Sequence, residues 1–325
     1  MKSFEYAAPP TLKEAAGLLS HKWGETEILA GGTDLVTSLK QHLTEPKRVV
    51  SLRNIPELKR IEIDKKGVRI GATATLAELA ENQAIKEQFP ALVTAANGVG
   101  SPQLMAVGTV GGDLCQRPRC WYFRNGFGLF ALRDGASLIR EGDNRYHALF
   151  GNDGPASFVS PSSLGPALIA LGATLTVTGP KGKTRKIAAE KFFQIPKKED
   201  ERETALKPNE ILTDIFVPTK GLRNATYEVR HRHGLDWPYV TASVAFQLKA
   251  GTVSDARVVL GHVAPVPWHS ASAGKALNGA KAAAADAGKC GEAATHGAKP
   301  LTGNGYKVQL VKVAVKRAVL AAAAA

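Results

Sequence analysis

The sequence predicts an α+β chain of two or three core-forming units, on three observations. Its 325 residues exceed one ordinary small domain. Strand-like and capped helical segments intermix as far as Pro218, and the style changes at Leu222 to strand-like runs followed by alanine- and glycine-rich helical sequence. Apolar residues make up 44% of the chain and charged residues 22%, which excludes wholesale disorder.

The elements follow in chain order. Thr11 and Glu14 form a capping box, and Leu12, Ala15, Ala16 and Leu19 share one face of the helix it opens. Residues 27–30 are a short strand running into Gly31-Gly32-Thr33-Asp34, a helix starts at Leu35, and residues 48–52 are a strand. A hairpin spans 58–63 and 68–70 about the Lys65-Lys66-Gly67 turn. Thr75 and Glu78 make a second capping box, with Leu76, Leu79 and Ala80 on the buried side. A helix covers 91–97, residues 98–112 are glycine-rich, and 113–161 are irregular. Helix 164–171, strand 174–177, an exposed charged link at 197–204 and strand 210–217 complete this half. Strands at 226–229, 240–248 and 257–260 precede helical sequence at 270–298. Val308, Val311, Val315 and Val319 then mark an amphipathic helix over 307–319. The Ala321-to-Ala325 tail is low in complexity.

No run of 18 apolar residues occurs, so a membrane-spanning helix is excluded. The start, MKSFEYAAPP, lacks the apolar core of a secretory signal, and three cysteines cannot build a disulfide scaffold. A reducing, cytoplasmic home is expected, with export alongside a signal-bearing partner as the other route. The formal net charge of +13 suits an anionic cofactor, an acidic partner or nucleic acid, and does not choose among them.

Two glycine pairs stand out, 80 residues apart: Ala30-Gly31-Gly32-Thr33-Asp34-Leu35 and Gly108-Thr109-Val110-Gly111-Gly112-Asp113. A Gly-Gly turn lets backbone N–H groups converge on an anion with no Cβ in the way. Two such turns can hold one dinucleotide from two sides, although on spacing alone a plain tight turn is the favoured reading of each. No G-x-G-x-x-G follows a strand, so a Rossmann domain is not expected. Gly179-Pro180-Lys181-Gly182-Lys183-Thr184 has two residues between its glycines where a phosphate loop needs four, and reads as a basic hairpin turn.

Cys115 and Cys120 flank Arg117 and Arg119, with Trp121, Tyr122, Phe123 and Arg124 following; Cys290 is remote. Three cysteines cannot supply a four-cysteine zinc or iron–sulfur site, and no histidine has zinc-motif spacing to them, so no metal ligand is assigned. The arginine–aromatic run reads either as a nucleic-acid stacking patch or as an ordered loop holding phosphates or a partner. Arg230, His231, Arg232 and His233 read as a solvated basic edge. No G-x-S-x-G elbow is present, and no catalytic acid, base or nucleophile is assigned.

The ordered series of motifs is where a family resemblance emerges. It comprises Phe4-Glu5-Tyr6, Pro10, Thr11-Leu12 and Glu14-Ala15-Ala16, then the two glycine segments through Leu35 and Leu114. Ser160-Pro161-Ser162-Ser163-Leu164, Ala170-Leu171-Gly172-Ala173 and Pro208-Asn209-Glu210-Ile211-Leu212 follow. Arg232, Asp236, Leu260-Gly261-His262-Val263-Ala264-Pro265-Val266-Pro267 and Gly303-Asn304-Gly305-Tyr306-Lys307-Val308 complete it. Over nearly the whole chain this resembles the FAD-binding (medium) subunit of the molybdenum hydroxylases, the xanthine dehydrogenase and carbon monoxide dehydrogenase group. It is most similar to the bacterial aldehyde oxidoreductase branch.

The resemblance implies a two-part FAD-binding region of the p-cresol methylhydroxylase type, at 1–55 and 56–220, with a loop inserted at 115–160. A C-terminal α+β domain at 221–325 follows. It implies that Ile28, Leu29, Ala30, Gly31, Gly32, Thr33, Asp34 and Leu35 hold the FAD pyrophosphate, and that Gly108, Thr109, Gly111, Gly112 and Asp113 contribute from the second segment. Leu212 matches a position packing near flavin or adenine. Two departures stand out: Asp113 replaces the usual Asn, bringing a carboxylate toward the pyrophosphate, and Ser163 replaces an acidic residue.

Between Gly112 and Ser160 lie 47 residues, far more than in many relatives. Some members of the aldehyde oxidoreductase branch bind a [4Fe–4S] cluster in such an insertion, whereas here it holds only Cys115 and Cys120. The expectation is a cover near the flavin without a cluster.

The implied function is electron transfer. Substrate, an aldehyde or N-heterocycle, would be oxidised at a molybdenum cofactor on a large partner chain. Electrons would then pass through [2Fe–2S] centres on a small chain to FAD here and on to an external acceptor. A dimer of heterotrimers is one expected assembly, with no nucleic-acid or membrane partner. A self-sufficient flavin oxidase and a basic nucleic-acid-binding protein are the alternatives. The first would need a substrate domain with catalytic bases, the second salt-sensitive polynucleotide binding without flavin.

Overall fold

The computed structural model describes residues 1–232 and 236–325. Three sheets carry the architecture. In the first, strand Arg48–Ser51 lies between Glu5–Ala7 and Thr26–Leu29, and both pairings are parallel. The crossovers contain helices Leu12–Gly17 and Leu35–Lys40. Thr11 opens the first of these, its Oγ1 accepting from the Glu14 N–H at 3.2 Å.

The second sheet is antiparallel, in the order Ile61–Asp64, Gly67–Gly71, Ile211–Pro218, Thr174–Thr178, Thr184–Ala188. Its central strand is the last of the five in chain order, so the sheet closes only once residue 218 is in place. Val68, Ile70, Leu175, Val177, Ile215 and Val217 project into a core covered by helices Leu76–Glu81, Pro90–Asn97 and Leu164–Ala170. The complete Thr75/Glu78 capping box fixes the start of the first of these. The basic 179–184 segment is the expected hairpin turn. Residues 58–60 differ from expectation: Leu58 ends up in the turn Pro56–Lys59, because Pro56 opens a 3₁₀ turn, and the strand begins at Ile61.

The third sheet, also antiparallel, runs Arg223–Val229, Val240–Lys249, Thr252–Gly261, Trp268–His269. Helix Tyr306–Ala324 packs on its first two strands, burying Val311, Val315 and Val319. The alanine tail belongs to this helix, and Ala322 is fully buried. Arg230 leaves the last sheet position and is buried in an ion pair with Glu228, a departure from the expected solvated basic edge, whereas His231 and Arg232 are exposed as expected. His233 lies outside the described residues.

The two stretches without a sequence pattern are built from short pieces. Helices Pro102–Val107 and Val110–Cys115 occupy the glycine-rich passage, and Trp121–Arg124 and Leu138–Glu141 lie within the insertion. Leu129, Phe130, Ala156 and Phe158 give the insertion a small core of its own, while Leu149 and Phe150 join the C-terminal core. The Gly303-Asn304-Gly305-Tyr306-Lys307 motif clamps it. Asn304 donates to the His147 and Ala148 carbonyls at 3.1 and 3.2 Å, and the Gly303 N–H to Asn144 at 2.7 Å.

Candidate functional site

Strand Thr26–Leu29 delivers the chain into the first glycine turn at the edge of a deep groove. Gly32 has φ +80°, a left-handed conformation that glycine adopts without steric cost. Gly31 lies flat against the other glycine segment, where a Cβ would overlap the Val107 carbonyl oxygen and approach Gly108 Cα at 3.2 Å. Among the described residues, the N–H groups of Gly31, Gly32, Thr33, Asp34 and Leu35 donate to no internal acceptor. That row of unused donors is a concave anion nest.

The second segment works differently. The Val110 and Gly111 N–H groups donate to the Ala74 and Ala72 carbonyls at 2.9 and 2.8 Å, and that of Gly112 to Thr109 Oγ1 at 3.1 Å. Its glycines therefore permit close approach: a Cβ on Gly111 would sit 2.8 Å from both Ala72 Cβ and its carbonyl oxygen. Asp113 is buried, and its carboxylate ties helix Val110–Cys115 to the start of Leu164–Ala170. It accepts from Ser162 Oγ at 2.6 Å, the Ser163 and Leu164 N–H groups at 3.2 and 3.0 Å, and Gln116 Nε2 at 3.1 Å. Burial pushes the Asp113 carboxyl above the usual carboxylate range, with these donors opposing the shift.

The groove has two confluent cavities, of about 220 and 270 Å³, which share Thr33, Asp34, Thr109, Gly112 and Gln116. Ile28, Ala30, Gly31, Gly32, Leu35, Gly111 and Leu212 line the first, together with Trp23, Leu43, Leu52 and Ile211. Gly108, Asp113 and Ser163 line the second, with Gly98, Val99, Gly100, Leu104, Arg119 and Trp237. Leu29 ends its strand and lines neither cavity.

The insertion closes the groove through its arginines. Asp34 accepts from Arg124 at 2.8 Å, from Arg119 at 3.2 Å and from the Arg117 N–H at 2.8 Å. Arg117 also pairs with Glu203 at 3.1 Å, and Arg202 reaches Glu27 at 3.6 Å while lying over the Trp23 ring. Burial raises the carboxyl pKa of both Glu27 and Glu203. Sequence reasoning missed Trp23, Glu27, Arg202, Glu203 and Trp237, whose pairing across 175 residues leaves no local pattern between Glu27 and Arg202.

These parts suit an extended molecule with an anionic middle: an unused N–H nest between an apolar pocket around Leu212 and a pocket walled by Trp237. Residues 2–220 match a family described as the FAD binding domain in molybdopterin dehydrogenase, and residues 225–322 one described as the CO dehydrogenase flavoprotein C-terminal domain. The chain belongs to the FAD-binding subunits of the molybdopterin dehydrogenase family. It is 30% identical to the aldehyde oxidoreductase FAD-binding subunit PaoB of Escherichia coli K12, over 86% of this chain and 87% of that one. It is 28% identical to the carbon monoxide dehydrogenase medium chain of Hydrogenophaga pseudoflava, over 98% and 96%. A solved structure of carbon monoxide dehydrogenase from that organism, lacking the Mo-pyranopterin moiety, superposes with a TM-score of 0.77 at 27% identity, covering 99% of this chain and 98% of that one.

FAD fits the groove on this structure's own terms, since Gly31 to Leu35 line it with five consecutive N–H groups that have no internal acceptor among the described residues. Among the described residues no three His, Cys, Asp or Glu side chains cluster as a metal site, and no helix is long and apolar enough to cross a membrane. Cys115 lines the first groove cavity, and Cys120 lines a different cavity altogether. Burial pushes the Cys115 thiol up to about 12.

Proposed function

We propose that this chain carries electrons between partner subunits and an external acceptor by way of FAD held in the groove. The observation that supports it most directly is the row of unused N–H groups from Gly31 to Leu35. In this reading residues 1–55 and 56–220 form the two parts of the FAD domain and 221–325 the C-terminal domain. Gly31 to Leu35 bind the pyrophosphate through backbone donors, and Leu212 with Leu52 and Ile211 packs the adenine end. Gly108, Asp113 and Ser163 border the ring end. The Asp113 carboxylate keeps its place there because four internal donors occupy it. Arg119 and Arg124 offset the Asp34 charge beside the pyrophosphate.

Bound FAD would supply the one- and two-electron chemistry, and the protein's part is to position it and limit its exposure to water. The substrate, an aldehyde or N-heterocycle, is oxidised at a molybdenum cofactor on a large partner, with [2Fe–2S] centres on a small one, in the cytoplasm. The relatives named as a subunit and a medium chain support such an assembly. The test is the visible spectrum of the purified chain, with the released cofactor identified by chromatography. One FAD per chain is expected. A folded chain that retains no flavin and takes none up from solution overturns the reading.

A further inference from the structure

Arg202 differs from the other arginines at the groove. Arg117 and Arg124 spend donors on Glu203, Asp34 and backbone carbonyls, and Arg119 pairs with Asp34. The Arg202 guanidinium makes no hydrogen bond among the described residues, and its ion pair with Glu27 Oε1 is 3.6 Å long, beyond hydrogen-bond reach. Its side chain is 16% exposed, yet its nitrogens are not sealed, and Arg202 lines the first cavity of the groove. Glu27 lines the same cavity. Its Oε1 accepts from Thr44 Oγ1 at 3.2 Å, while Oε2 accepts nothing among the described residues and is likewise open.

Both groups are held in place. The guanidinium lies flat on Trp23, 4.7 Å from the ring centroid, which fixes the plane of its fork. The backbone on either side of Arg202 is tied down: the Glu201 N–H donates to the Lys198 carbonyl at 3.2 Å, and the Glu203 carbonyl accepts from the Gln194 N–H at 2.9 Å. Glu27 projects from strand Thr26–Leu29, one residue before the apolar Ile28 and Leu29 that lead into the nest.

We propose that Arg202 and Glu27 read the adenine base of the dinucleotide, an inference that rests on the FAD reading above. A planar donor and a free acceptor oxygen stand side by side at the pocket formed by Leu43, Leu52, Ile211 and Leu212. An adenine edge carries the complement, a ring nitrogen that accepts beside an amino group that donates. The ring nitrogen takes an Arg202 N–H, and the amino group donates to Glu27. Hypoxanthine has a carbonyl oxygen in place of the amino group, which would face the Glu27 carboxylate with no proton between them.

The test is calorimetric titration of the flavin-free full-length chain with FAD, ADP and IDP. ADP should bind one-to-one and at least about tenfold more tightly than IDP. Arg202→Leu should weaken FAD and ADP by at least about tenfold and bring the ADP-to-IDP ratio near one. Glu27→Gln, whose amide can donate to the hypoxanthine oxygen, should narrow the ratio independently. A role confined to holding the fold would leave the ratio where it was. Equal binding of ADP and IDP by the unmodified chain, or a ratio unmoved by both substitutions, overturns the assignment while FAD binding still supports the cofactor. A chain that takes no FAD but prefers ADP through Arg202 overturns the cofactor reading and leaves an adenine site. Binding of neither FAD nor ADP overturns both.

Discussion

The Asp34 carboxylate accepts a hydrogen bond from the Arg124 guanidinium at 2.8 Å, joining the first glycine turn to a residue 90 positions further along the chain. Arg119 and the Arg117 N–H reach the same carboxylate. The inserted segment is therefore fastened to the nest itself and not merely laid across it. The same pairs keep the Asp34 charge from opposing an anion bound to the backbone beside it.

Asp34→Asn removes the charge that holds Arg119 and Arg124 in place. Both guanidinium groups are largely buried, with side chains 24% and 11% exposed, so stability should fall by about 1–3 kcal/mol. Trypsin should then cut at Arg117, Arg119 or Arg124 faster than in the unmodified chain. Unchanged cleavage and an unchanged melting temperature would show that the insertion is anchored elsewhere.

Gly31→Ala places a Cβ on the Val107 carbonyl oxygen, and backbone on both sides must move to admit it. Overpacking of this kind costs about 1–3 kcal/mol. FAD content should drop at least tenfold, because the two glycine segments are driven apart at the nest. Gly17→Ala is the control, since nothing lies within 4 Å of the added atom. Retention of full FAD content by the Gly31 variant would sink the proposed role of the turn.

The chain should contain no stoichiometric iron when isolated under anaerobic conditions. Cys115 and Cys120 line separate cavities, and no third ligand joins either one among the described residues. Metal analysis beside the flavin spectrum checks this, and Cys120→Ser should leave the spectrum unchanged. About four irons per chain would refute the cluster-free cover.

What the sequence made legible was whatever rests on local pattern. The capping boxes at Thr11 and Thr75, the hairpin at 179–184 and the valine stripe of the last helix each express a spacing of a few residues. The glycine pairs were visible too, but as equals. Only the structure shows that one leaves its N–H groups unused while the other spends them on Ala72, Ala74 and Thr109. The insertion was opaque because its order comes from distant partners: Asn144 with Gly303, Asn304 with the His147 carbonyl, and Glu199 with the Leu129 and Phe130 N–H groups. Arg230 looked solvated because its strand ends beside it, and burial with Glu228 depends on the helix passage at Gly98.

Lys307 gives the chain a stability that depends on pH in a window of its own. Its ammonium is fully buried and faces three carbonyl oxygens, those of Tyr146, His147 and His262, at 3.3, 3.1 and 2.7 Å. Burial lowers its pKa from 10.5 to about 7. Between those values the unfolded chain binds the proton and the folded chain does not, so stability rises with pH across the window. Lys307→Met removes the titrating group, and the difference between the two proteins isolates it from every other group. The unmodified chain should gain on the variant by up to about 1.4 kcal/mol per pH unit between pH 7 and 10, read from urea midpoints. Parallel profiles would mean that the three carbonyls hold Lys307 charged in the fold, with its pKa near that of the unfolded chain.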